Sequence, residues 1–232
     1  MPGDPSPPRT RIKICGITRV ADARAAAEAG ADAIGLIFWP GTPRVVSHAQ
    51  ARAIVAALPA YVSVVGLFVD PEPQAVRDTL AAVPLDLLQF HGAEPADFCR
   101  AFGRRYVKAI PVKDGVDLLE SASPYDDAAG LLFDAFREGD LPGGTGRAFD
   151  WGRLTKGVRA RLDRPLILSG GLDAANVARA IGETRPWAVD VSSGVEERDS
   201  NGAPRRGMKD AARIGAFVQG VRSADGRAFP VA

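Results

Sequence analysis

Short apolar runs the length of a β-strand alternate with longer amphipathic stretches along this chain of 232 residues. The first run, residues 12–15, is followed by an alanine-rich stretch with interspersed charges, residues 20–29, which predicts a helix ending at Gly30. Eight apolar runs follow this rhythm, at residues 12–15, 33–38, 62–69, 85–89, 106–110, 130–133, 166–168 and 187–191. Continuous apolar strands separated by helices predict a parallel sheet covered on both faces.

Eight such units favour a closed (β/α)8 TIM barrel, a single α/β domain. An open doubly wound sheet is the alternative, but Cys15-Gly16-Ile17-Thr18 after the first strand does not match the G-x-G-x-x-G fingerprint of that fold. We expect the barrel to span residues 11–222, between a flexible proline-rich leader (1–10) and a C-terminal tail (223–232). The last helix is predicted over residues 208–221, and the polar segment 196–206 is predicted to be a mobile loop.

The charge balance argues against a nucleic-acid partner, because 29 Lys and Arg against 28 Asp and Glu leave a formal net charge of only +1. Two cysteines, Cys15 and Cys99, are too few for a disulfide framework and suit a reducing cytosol. The leader lacks the apolar core of a secretory signal, and no apolar run approaches the roughly 20 residues that span a bilayer. We therefore expect a cytoplasmic protein without a membrane partner, either a monomer or a homodimer.

A thiol and a carboxylate stand where two of the predicted strands end. Cys15 ends the first apolar run and Asp134 follows the sixth. The carboxyl ends of barrel strands share one face, so these two side chains could meet across a pocket and move protons on a small molecule. Each also has a structural alternative, since Cys15 could be a small buried hydrophobe and Asp134 a turn residue.

Two loops carry the residue types of a phosphate site. The seventh run is followed by Ser169-Gly170-Gly171 and the eighth by Ser192-Ser193-Gly194. Glycines before a helix let backbone N–H groups approach an anion, and the hydroxyls add further donors. Loops seven and eight together form the usual phosphate site of a TIM barrel, so a small phosphorylated substrate is expected.

Further candidate binding residues follow other strands. Arg44, after the second, could bind a substrate carboxylate through its planar guanidinium, although it could also be a solvated surface residue. Gln89 and His91 follow the fourth strand, and His91 could serve either substrate or structure. Gly146 lies in a glycine-rich loop after Asp134 that could form a flap. No cluster of His, Cys, Asp or Glu has metal-ligand spacing, so no metal is expected.

Motifs at the ends of successive strands, in this order, resemble those of the phosphoribosylanthranilate isomerases, barrel enzymes of tryptophan biosynthesis. The resemblance runs from Lys13 to about Val218 and is carried by Lys13-Ile14-Cys15-Gly16-Ile17-Thr18, Thr42-Pro43-Arg44, Gly66-Leu67-Phe68-Val69, Leu88-Gln89-Phe90-His91-Gly92, Leu132-Phe133-Asp134, Gly143-Gly144-Thr145-Gly146, Phe149-Asp150-Trp151, Ser169-Gly170-Gly171-Leu172 and Asp190-Val191-Ser192-Ser193-Gly194-Val195-Glu196.

The resemblance implies an Amadori rearrangement of N-(5-phosphoribosyl)anthranilate to a 1-amino-1-deoxyketose, with no cofactor. It implies that Asp134 is the general acid, Cys15 the general base and Arg44 the contact for the anthranilate carboxylate. It further implies that the glycines and serines of loops seven and eight grip the phosphate. The chain departs from the family pattern at Thr42, usually serine, and at Arg206, usually proline.

Three other functions are weighed against this one. The related aminoaldose isomerase of histidine biosynthesis would have an aspartate at the position of Cys15. A ribulose-phosphate epimerase would have metal-binding histidines at strand ends. A catalytically silent phosphate-binding barrel would have no reason to keep both Cys15 and Asp134.

Overall fold

Eight parallel strands close into a barrel in the computed structural model, which describes residues 9–135, 150–154 and 156–228. The strands pair in sequence order, and the last closes onto the first: β1 (Arg11–Cys15), β2 (Ala33–Ile37), β3 (Ser63–Phe68), β4 (Leu87–Phe90), β5 (Tyr106–Val112), β6 (Gly130–Ala135), β7 (Leu166–Leu168) and β8 (Ala188–Val191). The β1–β8 register pairs Lys13 with Asp190, and the β1–β2 register pairs Cys15 with Gly35. The predicted (β/α)8 barrel is confirmed and the open-sheet alternative is excluded.

Helices follow the strands and cover the outside of the barrel. They are α1 (Val20–Ala29), α2 (His48–Ala56), α3 (Pro73–Ala82), α4 (Ala96–Arg100), α5 (Leu118–Ala122), α6 (Lys156–Arg159), α7 (Val177–Thr184) and α8 (Ala211–Ala228), with 3-10 turns at Ser123–Tyr125, Trp151–Leu154 and Ser193–Val195. Helix α1 ends at Gly30, as the alanine-rich stretch predicts. Its φ of 96° is a left-handed conformation that suits glycine.

Alternate strand residues face the two sides of the barrel wall, which explains why the strands are apolar throughout. On β1, Ile12 and Ile14 pack with the helices in the main core, whereas Cys15 belongs to a separate cluster with Ile37, Leu67 and Val69. The same alternation on β6 buries Phe133 under the helices. It directs Asp134 into the cavity at the carboxyl end of the barrel.

The segment predicted to be a mobile loop, 196–206, forms most of an antiparallel hairpin instead. Strands β9 (Glu196–Arg198) and β10 (Pro204–Lys209) pair beyond the end of β8. The prediction was wrong because the polarity of the segment gives no period-two apolar signal. Backbone pairing and the buried side chains of Glu196 and Lys209 hold the hairpin against the barrel.

Both edges of the predicted barrel boundary pack into the domain. Thr10 is buried and donates its backbone N–H and its hydroxyl to the Asp225 carboxylate at 2.9 and 2.7 Å. Helix α8 continues to Ala228, past the predicted end at residue 221, and Ala224 is buried within it. Residues that were expected to belong to the leader and the tail are therefore part of the packed domain, where Thr10 before β1 binds Asp225 of the last helix.

Candidate active site

A cavity opens at the carboxyl ends of the strands, the end at which barrel enzymes have their active sites. Most of the predicted site residues line it: Cys15, Arg44, His91, Asp134, Gly170, Gly171, Ser192 and Ser193. Ile37, Trp39 and Leu67 add an apolar wall. Gln89 and Gly194 stand behind this lining, and Gly146 lies outside the described residues.

Cys15 ends β1 with its thiol nearly out of contact with solvent, at 4% exposure. Gly35 on β2 leaves the room for it, because a Cβ there would lie 2.8 Å from Cys15 Sγ. Burial raises the pKa of the Cys15 thiol, and the nearby ammonium groups of Lys13 and Lys209 only partly offset that effect. Burial therefore outweighs the two ammonium groups and favours the neutral thiol.

Asp134 is held by hydrogen bonds to both carboxyl oxygens. Oδ1 accepts the Ala135 N–H at 2.9 Å, and Oδ2 lies 3.1 Å from His91 Nε2. His91 Nδ1 in turn lies 3.0 Å from the Gln89 amide nitrogen. When that nitrogen donates, Nδ1 accepts, and the imidazole proton sits on Nε2 facing the carboxylate. In this tautomer His91 donates a hydrogen bond to the Asp134 carboxylate.

Gln89 reaches the site through His91 rather than by lining the cavity. It is 1% exposed, and its amide nitrogen faces the histidine ring. The sequence predicts substrate contact for both residues, but the structure brings only His91 to the cavity. Gln89 is in position to fix the orientation and tautomer of that ring.

Loops seven and eight both line the cavity, and loop seven lies next to the end of β6. Gly170 and Gly171 adopt left-handed φ angles of 86° and 64°. A Cβ at Gly170 would lie 2.7 Å from the Ala135 nitrogen, and one at Gly194 would overlap the Leu172 carbonyl oxygen. Gly194 thus lets loop eight pack against loop seven, and Gly170 lets loop seven pack against the end of β6. Ser192, Ser193, Gly170 and Gly171 all line the cavity.

The helix that was predicted to start near these glycines begins later. Asp173 caps a turn by accepting the N–H groups of Ala175 and Asn176, and α7 starts only at Val177. Anion donors at this wall are therefore loop N–H groups and serine hydroxyls. The 3-10 turn Ser193–Val195 supplies the short extra helix that commonly completes a barrel phosphate site.

Arg44 is tied into a buried charge network. It is 4% exposed, and its Nε and Nη2 donate to the two carboxylate oxygens of Glu196 at 2.7 and 2.9 Å. Lys209 Nζ lies 3.2 Å from Glu196 and 2.9 Å from the Ser192 carbonyl oxygen. Burial works against charge on Glu196, but Arg44 and Lys209 outweigh it and lower the Glu196 pKa. The network joins the predicted carboxylate-binding residue to the predicted phosphate loop.

The two family departures leave this arrangement intact. The Thr42 hydroxyl accepts the Arg44 N–H at 3.3 Å, a role that a serine hydroxyl also fills. Arg206 is exposed, while Gly207 beside it donates its N–H to Glu196 Oε1 at 2.8 Å. The loop geometry therefore rests on Gly207 and Glu196.

We expect Glu196→Gln to lower the free energy of unfolding by about 3–5 kcal/mol, because Arg44 and Lys209 would remain buried without a counter-charge. Urea unfolding at neutral pH measures the loss. Glu197→Gln is the matched control: Glu197 is only partly buried and pairs with Arg19 and Arg205, so it should cost no more than about 1 kcal/mol. Equal losses in the two variants would contradict the role of the network.

The sequence prediction missed the charged groups beneath the cavity. Lys13 and Asp190 form an ion pair of 2.7 Å inside the barrel, and Glu196 and Lys209 form another beside Arg44. A signal for the first pair was present, since each is a charged residue inside an otherwise apolar strand. Trp39 was also missed, because an aromatic residue after a strand looks like ordinary core.

The described ranges contain no group of three or more His, Cys, Asp or Glu side chains arranged to hold a metal ion. In the same ranges, no helix combines the length and apolarity that crossing a membrane requires.

Comparison with known proteins assigns the chain to a family. Residues 12–220 match the family model described as N-(5'-phosphoribosyl)anthranilate (PRA) isomerase. An N-(5'-phosphoribosyl)anthranilate isomerase of Pseudomonas aeruginosa is 53% identical over 216 residues, covering 93% of this chain and 97% of that protein.

Two solved structures extend the likeness to the fold. Monomers generated from the dimeric phosphoribosylanthranilate isomerase of Thermotoga maritima match with a TM-score of 0.78 and 37% identity, covering 92% of this chain and 99% of that one. A phosphoribosyl anthranilate isomerase in complex with reduced 1-(o-carboxyphenylamino)-1-deoxyribulose 5-phosphate matches with a TM-score of 0.79 and 38% identity over the same shares. The chain therefore belongs to the N-(5'-phosphoribosyl)anthranilate isomerase family.

Proposed function

We propose that this protein isomerises N-(5-phosphoribosyl)anthranilate to 1-(2-carboxyphenylamino)-1-deoxyribulose 5-phosphate, a step of tryptophan biosynthesis. The observation that carries the proposal is the pairing of Cys15 and Asp134 in one cavity with loops seven and eight on its wall. The family membership supports the same reaction.

The cavity offers a separate place for each part of this substrate. The phosphate fits the N–H groups and hydroxyls of Gly171, Ser192 and Ser193. The aromatic ring fits the apolar wall that includes Trp39 and Leu67. Since Nε and Nη2 of Arg44 already bind Glu196, the substrate carboxylate must approach the part of the guanidinium that faces the cavity.

The chemistry needs one acid and one base. Asp134 gives a proton to the ribose ring oxygen, the C1–O bond breaks, and a Schiff base forms between C1 and the anthranilate nitrogen. The Cys15 thiolate then removes the C2 proton, forming an S–H bond, and the C2–H electrons form the enolamine. Protonation of C1 with ketone formation at C2 completes the rearrangement. Each acid or base step typically contributes about 10²–10⁴-fold.

We propose that no cofactor or metal takes part, since the reaction moves protons within one molecule and leaves its oxidation level unchanged. We also propose that the enzyme works in the cytoplasm, where the buried thiols of Cys15 and Cys99 would stay reduced. A monomer or homodimer remains our proposal for the assembly; the Thermotoga maritima relative is described as dimeric. We propose that Gly146, as the resemblance implies, also takes part in binding the substrate.

The pH dependence follows from the raised pKa of Cys15. Since the thiolate is the active form, a raised pKa means that little of it exists at neutral pH and that its fraction grows as pH rises. We expect kcat/KM to rise from pH 6 to 8 by at most about tenfold per pH unit, because loss of the Asp134 proton offsets part of the gain in thiolate. Initial rates in buffers of constant ionic strength measure this slope. A profile that falls over this range would contradict Cys15 as the base, because loss of the Asp134 proton can at most cancel the gain in thiolate.

The isomerase activity is tested by the fluorescence of the substrate, which is unstable and is generated in situ. Purified protein should accelerate the loss of signal far beyond the spontaneous rate, and chromatography should identify the carboxyphenylamino ketose phosphate as product. The Cys15→Ser/Asp134→Asn double variant serves as the control for adventitious decay. Absence of acceleration by the wild-type protein would instead support the silent phosphate-binding barrel.

A further inference from the structure

The inside of the barrel holds a charge pair directly beneath the proposed base. Lys13 precedes Cys15 by two residues on β1, so both side chains point to the same side of the barrel wall. Lys13 Nζ lies 2.7 Å from Asp190 Oδ1 on β8, with side-chain exposures of 11% and 6%. The reaction as proposed above uses neither residue. Burial of two charges has a large desolvation cost, so a buried ion pair of this kind calls for an explanation.

The side chains of Lys13 and Cys15 both pack over Gly35 of β2. A Cβ on Gly35 would lie 2.8 Å from Cys15 Sγ and 3.2 Å from Lys13 Cε, so both side chains occupy the space that a side chain at residue 35 would fill. Charge attraction favours the ammonium beside an ionised sulfur. Burial alone would lower the pKa of Lys13, but Asp190 and Cys15 outweigh it and raise that pKa, so the ammonium keeps its proton.

We propose that the Lys13 ammonium, oriented by Asp190, is the counter-ion that stabilises the Cys15 thiolate during catalysis. Lys13 is thus a positioning residue, acting on the substrate only through the sulfur. The inference rests on the proposed function only in making Cys15 the base. The proton from substrate C2 goes to Cys15 Sγ, and Lys13 remains protonated throughout.

Other charges around Cys15 cannot replace Lys13. Lys209 on β10 also favours the thiolate, but it is bound to Glu196 and Ser192 and contributes less. Asp190 opposes the thiolate, and β2 (Ala33–Ile37) carries no titratable side chain.

Groups across the cavity are already paired. Arg44 binds the Glu196 carboxylate, and Asp134 binds His91. Lys13 is therefore the principal cation available to the sulfur.

The test is the titration of the Cys15 thiolate by its absorbance near 240 nm between pH 6 and 11, without substrate, because the raised pKa of this thiol places its midpoint in the alkaline range. The Cys15→Ser variant supplies the baseline. Burial raises the pKa of Cys99 to about 12, so this second thiol stays largely protonated over the titrated pH range. Tyrosines ionise near pH 10 in model peptides, and subtraction of the Cys15→Ser baseline removes their contribution.

We expect Lys13→Met to move the midpoint upward by at least about one pH unit, a tenfold loss of thiolate at a given pH. The Lys13→Met/Asp190→Asn double variant removes both charges, so no unpaired carboxylate is left buried to destabilise the fold. Its midpoint should also move upward, but by less than that of Lys13→Met. Lys13→Arg keeps a cation and should move the midpoint least. Unchanged midpoints in both the Met variant and the double variant would overturn the proposal.

Lys108→Met is the matched control, because Lys108 is an equally buried lysine that pairs with Glu94 at 2.9 Å. The Lys108→Met variant should have the same Cys15 midpoint as the wild type. A shift as large as that of Lys13→Met would overturn the proposal, because loss of any buried lysine would then have the same effect. In kinetics, Lys13→Met should lose about tenfold in kcat/KM at pH 7 and recover as pH rises. A wild-type protein without isomerase activity but with the expected titration shifts would refute the proposed function alone.

Discussion

Cys15→Ser lowers kcat by about three orders of magnitude while leaving the fold and substrate affinity close to wild type. The serine hydroxyl is smaller than the thiol, so it fits the space over Gly35. It differs in chemistry, because a hydroxyl does not ionise near neutral pH and cannot accept the C2 proton as a thiolate does. Steady-state kinetics with in situ substrate measure the loss, and unfolding curves verify the fold.

The second free cysteine provides the control for this substitution. Cys99 is fully buried on α4, and its thiol faces the Glu94 carbonyl oxygen at 3.8 Å, outside the cavity. Cys99→Ala should keep wild-type kcat. Wild-type turnover in Cys15→Ser would remove Cys15 from the mechanism, and equal losses in both variants would point to stability.

Asp134→Asn lowers kcat by about 10²–10⁴-fold, because an amide has no acidic proton for the ribose ring oxygen. The amide keeps the size of the carboxyl group but has one acceptor oxygen for the two donors, Ala135 N–H and His91, that the carboxylate now satisfies. We therefore expect a modest stability loss of about 1–3 kcal/mol beside the large kinetic effect. Rates and urea unfolding separate the two.

Asp127 serves as the control aspartate. It precedes β6, whereas Asp134 stands near its carboxyl end, and it bonds with Tyr106 and Arg100 away from the cavity. Asp127→Asn should leave kcat unchanged. If Asp134→Asn turned over substrate like the wild type, the ring-opening proton would have to come from another group.

The barrel could be predicted from the sequence because its signal is local. Each strand is a continuous apolar run buried on both faces, and the eight runs correspond to β1 through β8. The position of Cys15 and Asp134 in one cavity follows from that strand order alone, since parallel strands bring their carboxyl ends together.

The charge network could not be predicted because its partners are distant in sequence. Arg44 and Glu196 are 152 residues apart, and Lys13 and Asp190 are 177 apart. Arg44 looked like a substrate ligand with a free guanidinium, whereas two of its nitrogens bind Glu196. Only the closed barrel brings these side chains together.

The hairpin of β9 and β10 was missed for a different reason. Its stability comes from backbone pairing and from the burial of Glu196 and Lys209. Burial of charged side chains leaves no apolar pattern in the sequence. Helix α8 was cut short for a similar reason, because its last turns bury few residues such as Ala224.

The central claim is that Cys15 and Asp134 act on the carbon and oxygen atoms at one end of a substrate whose phosphate is held by loops seven and eight. A crystal structure of this protein with the reduced carboxyphenylamino deoxyribulose phosphate tests it most directly. We expect the phosphate at Gly171, Ser192 and Ser193, with Cys15 Sγ within about 3.5–4 Å of C2. The Asp134 carboxyl should contact the oxygen derived from the ribose ring. A ligand bound with its phosphate elsewhere, or with the thiol out of reach of C2, would contradict the account.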